Sequence, residues 1–243
     1  MSPKTGRKTN SKLDREAVID TALRLADEEG LDSVSFRRLA DQFAVTPMAL
    51  YWHFADKEAL LAALADRLWM QAADALSSSL DQLSSSDDDG WGQLRLTLIA
   101  LVDAMRPNPA VAELVPTRVI ECEAGRDVTE LTLGFLARQG FDPAQAADLG
   151  RFVLSSAVML VTTQAGIEIP GQDERAEVQR RKRIALASLP PDRYPHIVAS
   201  AAYLTDCESP EAYLARGLDA IIAGVRAQAP SCQPLDVSGS ARR

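Results

Sequence analysis

The sequence predicts an all-α fold, a three-helix helix-turn-helix head followed by a larger helical domain. Three observations carry that expectation. Alanine and leucine dominate the 47% of hydrophobic residues while aromatics make up 5%, a balance that favours helices over strands. Apolar residues recur at helical spacing, and no run alternates with the period of a strand. Residues that cap helices (Asp14, Ser35, Thr46, Asp56) each stand at the head of a short apolar run.

In chain order, residues 1–12 are polar with only basic charge, and read as a disordered arm. Asp14 caps a helix to Glu29, with Val18, Ala22 and Leu25 in one stripe and Ile19, Leu23 and Ala26 beside it. Gly30 is expected to stop it as a left-handed cap. Ser35 opens a short helix over 36–43, with Phe36, Leu39, Ala40 and Phe43 inward. Thr46 and Pro47 open a third, ending near Phe54, with Val45 and Leu50 placed as a hydrophobic staple. Asp56 caps a longer fourth helix that fades into Ser77, Ser78 and Ser79.

The Ser/Asp run at 84–90 is a break, after which helices are expected over 91–105, 110–115, 118–139 and 142–165. A Gly/Pro loop around 166–171 precedes a charged segment at 173–188, a weakly helical piece at 192–204 and a last helix at 209–228. The domain division expected is an arm at 1–12, a head at 13–57, a body at 58–229 and a disordered tail at 230–243.

Composition narrows the class. The net charge of −8 resides outside the head, since residues 1–57 carry nine basic and nine acidic residues. Only the head is compatible with a polyanion. The three cysteines (Cys122, Cys207, Cys232) show no CxxC spacing, so neither a zinc site nor a disulfide framework is expected, and a reducing cytoplasm fits. Lys4, Arg7, Lys8 and Lys12 have no apolar run behind them, which argues against a signal peptide. The most apolar stretch, 152–161, is too short to span a bilayer. No Gly-rich phosphate loop, HExxH or GxSxG motif is present, which argues against an enzyme, and no cofactor or metal is expected. Cys122 and His196 form the one nucleophile–base pair that can be imagined, and nothing around them supports it. A helical adaptor without DNA binding is the other competing class. The intact run from Thr46 to Lys57 argues against it.

Helices two and three, joined by a tight turn behind a packing helix, form a helix-turn-helix. Such an element lays its second helix in the major groove of double-stranded DNA. Leu50, Phe54 and Val45 face the head core, whereas Pro47, Met48 and Tyr51 form the opposite face. Pro47 and Met48 suit a thymine methyl, the Tyr51 hydroxyl a base edge or phosphate, and Arg37 the O6 and N7 of guanine. Thr46, Arg38, Trp52, His53 and Lys57 complete the candidate DNA-binding set, Lys57 with the fourth helix's dipole behind it. Each also has a plainer reading. Tyr51 and Trp52 suit a small helical core, His53 a structural role, Arg37 a solvated surface. The arm is either a flexible tail or a groove contact. Arg180, Arg181, Lys182 and Arg183 read as a solvated helix face balanced by Asp173, Glu174 and Glu177.

Thr46-Pro47-Met48-Ala49-Leu50-Tyr51-Trp52-His53-Phe54, followed by Asp56-Lys57-Glu58-Ala59-Leu60-Leu61, resembles the signature of the tetracycline-repressor (TetR) family. The resemblance continues into Gln139-Gly140-Phe141 with its long following helix, and into Tyr213 through Gly224. It implies a ligand-responsive regulator, in most members a repressor, that binds a palindromic operator as a homodimer in the cytoplasm. It also implies a four-helix bundle between subunits. The corresponding faces are Leu149, Phe152, Val153, Ser156, Val158 and Leu160, with Leu214, Leu218, Ile221, Ile222 and Val225.

The family's tetracycline sensors hold a magnesium–drug complex with histidines and a glutamate. Here the resemblance places Ala73 at the fourth-helix histidine, Leu98 at a fifth-helix asparagine and Thr163 at the glutamate, so a metal-free, mainly apolar effector is implied. The expected ligand-binding set is Trp91, Leu94, Leu98, Val102, Met105, Thr117, Arg118, Met159 and Thr163, with Arg118 either facing an anionic group or lying at the surface.

Overall fold

The structure, a computed structural model, describes residues 13–81, 91–163, 172–205 and 209–230, and among these described residues it has eleven α-helices and no strand. The expected arm, the break at 84–90, the loop at 166–171 and all but the first residue of the expected tail lie outside the described residues.

Local chemistry starts each helix of the head. The Asp14 carboxylate accepts the Ala17 N–H at 2.7 Å and opens α1 (Arg15–Glu29). Gly30 ends it with φ 85° and ψ 161°, not with the expected left-handed-helical ψ. The chain leaves straight into a 3-10 turn (Leu31–Ser33), whose Ser33 hydroxyl returns to the Gly30 carbonyl at 2.6 Å. Ser35 accepts the Arg38 N–H and opens α2 (Phe36–Phe43). Of its expected inward residues Leu39 and Ala40 are buried, while Phe36 and Phe43 are half-buried.

The turn into α3 (Pro47–Tyr51) passes through Ala44 at φ 54°, ψ 43°. There the Ala44 and Val45 N–H groups satisfy the last carbonyls of α2. Thr46 holds the N-cap position with extended backbone, but its hydroxyl makes no capping bond. α3 stops before the expected Phe54, because the His53 and Phe54 N–H groups both turn back to the Leu50 carbonyl at 2.9 and 3.0 Å.

α4 (Lys57–Leu80) begins where Asp56 accepts the Ala59 N–H at 2.7 Å. It is 24 residues long, or about 36 Å at the usual rise. The serines expected to end it stay helical, Ser78 and Ser79 each bonding the carbonyl four residues back at 2.9 Å. α4 crosses the expected boundary at 57/58 without a break, so head and body share one rod.

The body comprises α5 (Gly92–Met105), α6 (Pro109–Ala112), a 3-10 turn (Val115–Arg118), α7 (Glu123–Arg138), α8 (Pro143–Thr162), α9 (Gln172–Ala187), α10 (Pro195–Thr205) and α11 (Pro210–Arg226). α7 starts five residues later than expected. The Cys122 sulfur caps it by accepting the Gly125 N–H, and at Gly125 the Val119 carbonyl comes so close that a Cβ would collide with it. α8 opens with a capping box, Asp142 accepting the Ala144 and Gln145 N–H groups while Gln145 returns to Asp142.

α4 packs on α5 and α7, α8 covers both of those, and α11 closes over α8 and α5. The Trp69 indole N–H in this core donates to the Val115 carbonyl at 3.0 Å. α1 reaches back to α4 and α6, so one hydrophobic core runs from Val18 to Val225. α9 and α10 pack chiefly on one another.

Among the described residues α8 alone is long and apolar enough to cross a membrane. Its Ala146, Leu149, Val153, Ala157, Leu160 and Val161 are nevertheless buried within the body. The face assigned by resemblance to a subunit bundle needs correcting on the same ground. Leu149, Val153, Ser156, Leu160, Leu214, Leu218 and Val225 are already buried inside one chain, and Val158, Ile221 and Ile222 are half-buried. The outward stripe is instead Phe152, Ser155 and Met159 on α8, with Tyr213, Ala220 and Ala223 on α11. The outward face of α8 carries the large apolar side chains Phe152 and Met159 beside its core-facing stripe, and a sequence pattern does not separate the two.

Candidate nucleic-acid interface and body cavity

Burying Leu50 and Phe54 under the head fixes which side of α3 faces outward. Pro47, Met48, Tyr51 and Trp52 project there, Met48 at 66% and Trp52 at 87% exposure. The Phe36 and Tyr51 rings meet edge to face, centroids 4.6 Å apart and planes at 71°. Thr46 is exposed and His53 half-buried at the ends of the same short helix.

Four basic side chains border this surface differently. Arg37 is exposed and, among the described residues, has no acidic partner, and Lys57 is exposed at the first turn of α4. Arg38 instead binds Glu29 at 2.5 Å and must release it to reach a phosphate. Such an exposed pair is weak enough to exchange. Arg15 lies over the Phe54 ring, 5.1 Å from its centroid, and braces the head.

The body holds a cavity of about 350 Å³ between α4, α5, α7 and α8. Trp69 forms one wall, Leu101 and Thr97 the α5 side, Val119 and Ile120 one end, and Val128 and Thr132 the α7 side. The α8 side is Ala147, Gly150, Val153 and Leu154, with Arg151 at the edge in an ion pair with Asp148. The Thr97, Thr129 and Thr132 hydroxyls each donate to a carbonyl one turn back on their own helix. No lining residue is a carboxylate or an imidazole, so the wall does not fit a hard cation.

None of the nine residues expected to line a ligand site lines this cavity. Trp91, Leu94, Leu98, Val102 and Met105 are buried on the adjacent row of α5 and serve as solid core. Met159 and Thr163 face outward, and Thr117 is exposed. Arg118 is turned away onto Asp66 by two hydrogen bonds, at 3.0 and 3.3 Å. Ala73 lies not at this cavity but in a charged, open groove of about 440 Å³. That groove is lined by Arg15, Glu16, Asp66, Arg67, Asp74 and Glu123 among others. Val119 and Ile120 are cavity residues outside the expected set; the sequence signal for them is an apolar pair three residues beyond Pro116, in a stretch whose spacing predicts helix.

Two titrating groups are informative. Burial pushes the Cys122 thiol above its usual range, the opposite of an activated nucleophile. Partial burial beside α6 raises the Asp27 carboxyl from 3.8 to about 6, with the Ala110 backbone N–H drawing it back and Glu28 adding to the rise. Among the described residues no three His, Cys, Asp or Glu side chains converge as metal ligands do.

Residues 18–64 match the family model described as bacterial regulatory proteins, tetR family, and residues 87–229 match the tetracyclin repressor-like C-terminal domain. The class C tetracycline repressor protein of Escherichia coli is 29% identical over 235 residues, covering 93% of this chain and 97% of that protein. Among solved structures, a tetracycline-repressor variant from Acinetobacter baumannii AYE in complex with minocycline aligns at 27% identity and TM-score 0.59. The alignment covers 90% of this chain and all of that one. ActR of Streptomyces coelicolor in complex with actinorhodin shares the fold, with TM-score 0.72 at 23% identity over 91% of this chain and 99% of that one.

Proposed function

The chain belongs to the TetR family of ligand-responsive, DNA-binding transcriptional regulators, and from that premise we propose that it is a repressor released from a palindromic operator by a small, mainly apolar, metal-free molecule. The observation that carries the effector class is the cavity wall, which offers Trp69, Leu101, Val119, Ile120 and Val128 but no carboxylate or imidazole. Apolar walls with a few polar anchors are the usual makeup of small-molecule sites. That supports an uncharged aromatic or aliphatic guest over a magnesium chelate.

Two heads on one palindrome require two chains. The outward stripe of Phe152 and Met159 on α8 beside Tyr213 on α11 supports a homodimer, because large apolar side chains grouped at a surface favour a partner. Arg37, Met48 and Tyr51 would then read bases, while Lys57, Trp52, Thr46, His53 and the displaced Arg38 would hold the phosphate backbone. α4 links the two sites. Its first turn carries Lys57 and its fourth carries Trp69 of the cavity wall, so a guest that shifts α4 moves the head. A ligand that prefers the shifted arrangement by about 1–3 kcal/mol loosens DNA by roughly 5–150-fold.

The test selects duplexes from randomised DNA with the full-length chain and then titrates the complex with neutral apolar aromatics, with and without magnesium and chelator. Enrichment of a two-fold symmetric site and chelator-independent release are expected. An asymmetric site bound by one chain, or release that vanishes on chelation, overturns the reading.

A further inference from the structure

Within the first 64 positions, the large hydrophobic side chains left exposed among the described residues are Met48, Tyr51 and Trp52, all on α3 or its end. Pro47–Tyr51 carries no charged or amide side chain, so its polar reach is the single Tyr51 hydroxyl. In the chain this hydrocarbon surface is flanked by two exposed cations, Arg37 on α2 and Lys57 at the start of α4. A positive border suits a phosphate-rimmed groove, and within the major groove the hydrocarbon that a base pair offers is the pyrimidine C5 methyl. Tyr51 is not free to turn at will. Phe36, in the first turn of α2, meets its ring edge to face at 4.6 Å across the turn between the helices. A ring held this way keeps one rotamer where a lone exposed tyrosine samples several.

We propose that the head discriminates operator bases by their C5 methyl groups, with Met48 and Tyr51 as the reading side chains and Phe36 as the positioning residue that sets the Tyr51 ring. The inference rests on the DNA-binding reading above and adds which chemical feature of the base is read. Arg37 supplies a guanine contact by hydrogen bonding, and the α3 surface supplies discrimination by shape and desolvation. Phe36 acts only through Tyr51.

The experiment uses the full-length chain and the duplex it selects from randomised DNA. Each thymine is replaced singly by deoxyuridine, which deletes the methyl and leaves the Watson–Crick edge intact. At one or more positions in each half-site, binding weakens about fourfold, the ratio for burial of one methyl-sized group. At the same position, 5-methylcytosine exceeds cytosine by a similar ratio, which separates the methyl from the rest of the base. Met48→Ala or Phe36→Leu brings the thymine-to-uracil ratio towards one. Phe36→Leu leaves the slope of binding against salt unchanged, a readout that general loss of phosphate contacts would move. Phe36→Tyr keeps the ratio, since the ring is kept. Uracil tolerated within experimental error at every position overturns the proposal, and needs no variant to fold. A folded Phe36→Leu chain with the full ratio overturns the positioning role. Failure to select any duplex strikes the DNA-binding reading itself and the proposal with it.

Discussion

Arg118 grips Asp66 with two parallel bonds, Nε to Oδ1 at 3.0 Å and Nη2 to Oδ2 at 3.3 Å, and so ties the 3-10 turn after α6 to the middle of α4. The two side chains are 26% and 30% exposed, and the carboxylate raises the guanidinium above its usual range. A bidentate, partly screened pair contributes about 1 kcal/mol. A double-mutant cycle with Arg118→Met and Asp66→Asn in urea unfolding should give a coupling of that size, smaller at high salt. Effector affinity should hold within about twofold. A folded Arg118→Met chain that cannot bind effector would return Arg118 to the ligand site.

Ala44 occupies the left-handed position of the helix-turn-helix turn, φ 54°, where a Cβ crowds the next carbonyl. Glycine there removes roughly 1–2 kcal/mol of strain but adds about 0.5–1 kcal/mol of unfolded-chain entropy. Ala44→Gly should therefore raise stability by about 0.5–1 kcal/mol, read as a higher urea midpoint at unchanged slope. A lower midpoint would mean that the Ala44 methyl makes contacts worth more than the strain.

The head was largely legible because its signals are short-ranged. Asp14, Ser35 and Asp56 make the capping bonds that their positions suggest, and Leu50 and Phe54 bury so that Met48 and Tyr51 must face out. The cavity was not legible, because apolar spacing reports burial and not the presence of empty space. On α5, Leu94, Leu98 and Met105 mark one row, and the cavity opens on the next row at Thr97 and Leu101. Whether α9 and α10 touch the rest of the body depends on long-range packing that no local pattern encodes.

Asp27 gives the head–body contact a pH dependence. Its folded carboxyl titrates at about 6 against an ordinary 3.8 because burial beside α6 disfavours the charge. The folded chain binds the proton more tightly than the unfolded one. Its contribution is therefore most favourable below about pH 4 and is lost as pH rises through 6. Asp27→Asn, neutral throughout, should add about 1 kcal/mol at pH 7 after solvent screening and nothing at pH 4. Thermal melts of both chains at the two pH values check it, and an equal effect at both would exclude the titration.

Phe152 and Met159 are 51% and 55% exposed on one stripe of α8. Phe152→Glu places a charge on the surface proposed to be dry in the dimer, and should shift sedimentation from dimer to monomer. The variant's helix content should persist and its affinity for the palindromic duplex should fall by at least tenfold. The companion Glu130→Lys, at an exposed position on α7, should leave the dimer intact. A dimeric Phe152→Glu chain would move the interface elsewhere.

Gly150 lines the cavity from α8, and a Cβ there would meet Leu133 Cδ2 at 3.6 Å, an ordinary contact. Gly150→Ala should therefore fit, and exchanging a mid-helix glycine for alanine adds about 1 kcal/mol of stability. The added methyl occupies space that a guest needs, so the affinity of bulky effectors should drop even as the melting temperature rises. Ala147, one turn earlier on the same wall, permits a stronger version. Ala147→Phe directs a ring into a cavity of about 350 Å³ and should abolish release while operator affinity stays within twofold of the parent. Stability and ligand response then move in opposite directions in Gly150→Ala, which separates loss of the site from loss of the fold. Isothermal titration with the effector and a duplex-release assay on both variants make the comparison. Normal release from a folded Ala147→Phe chain would place the effector outside this cavity, for instance in the charged groove between α1, α4 and α7 or in the hollow beside Leu61, Leu114, Thr117 and Arg118.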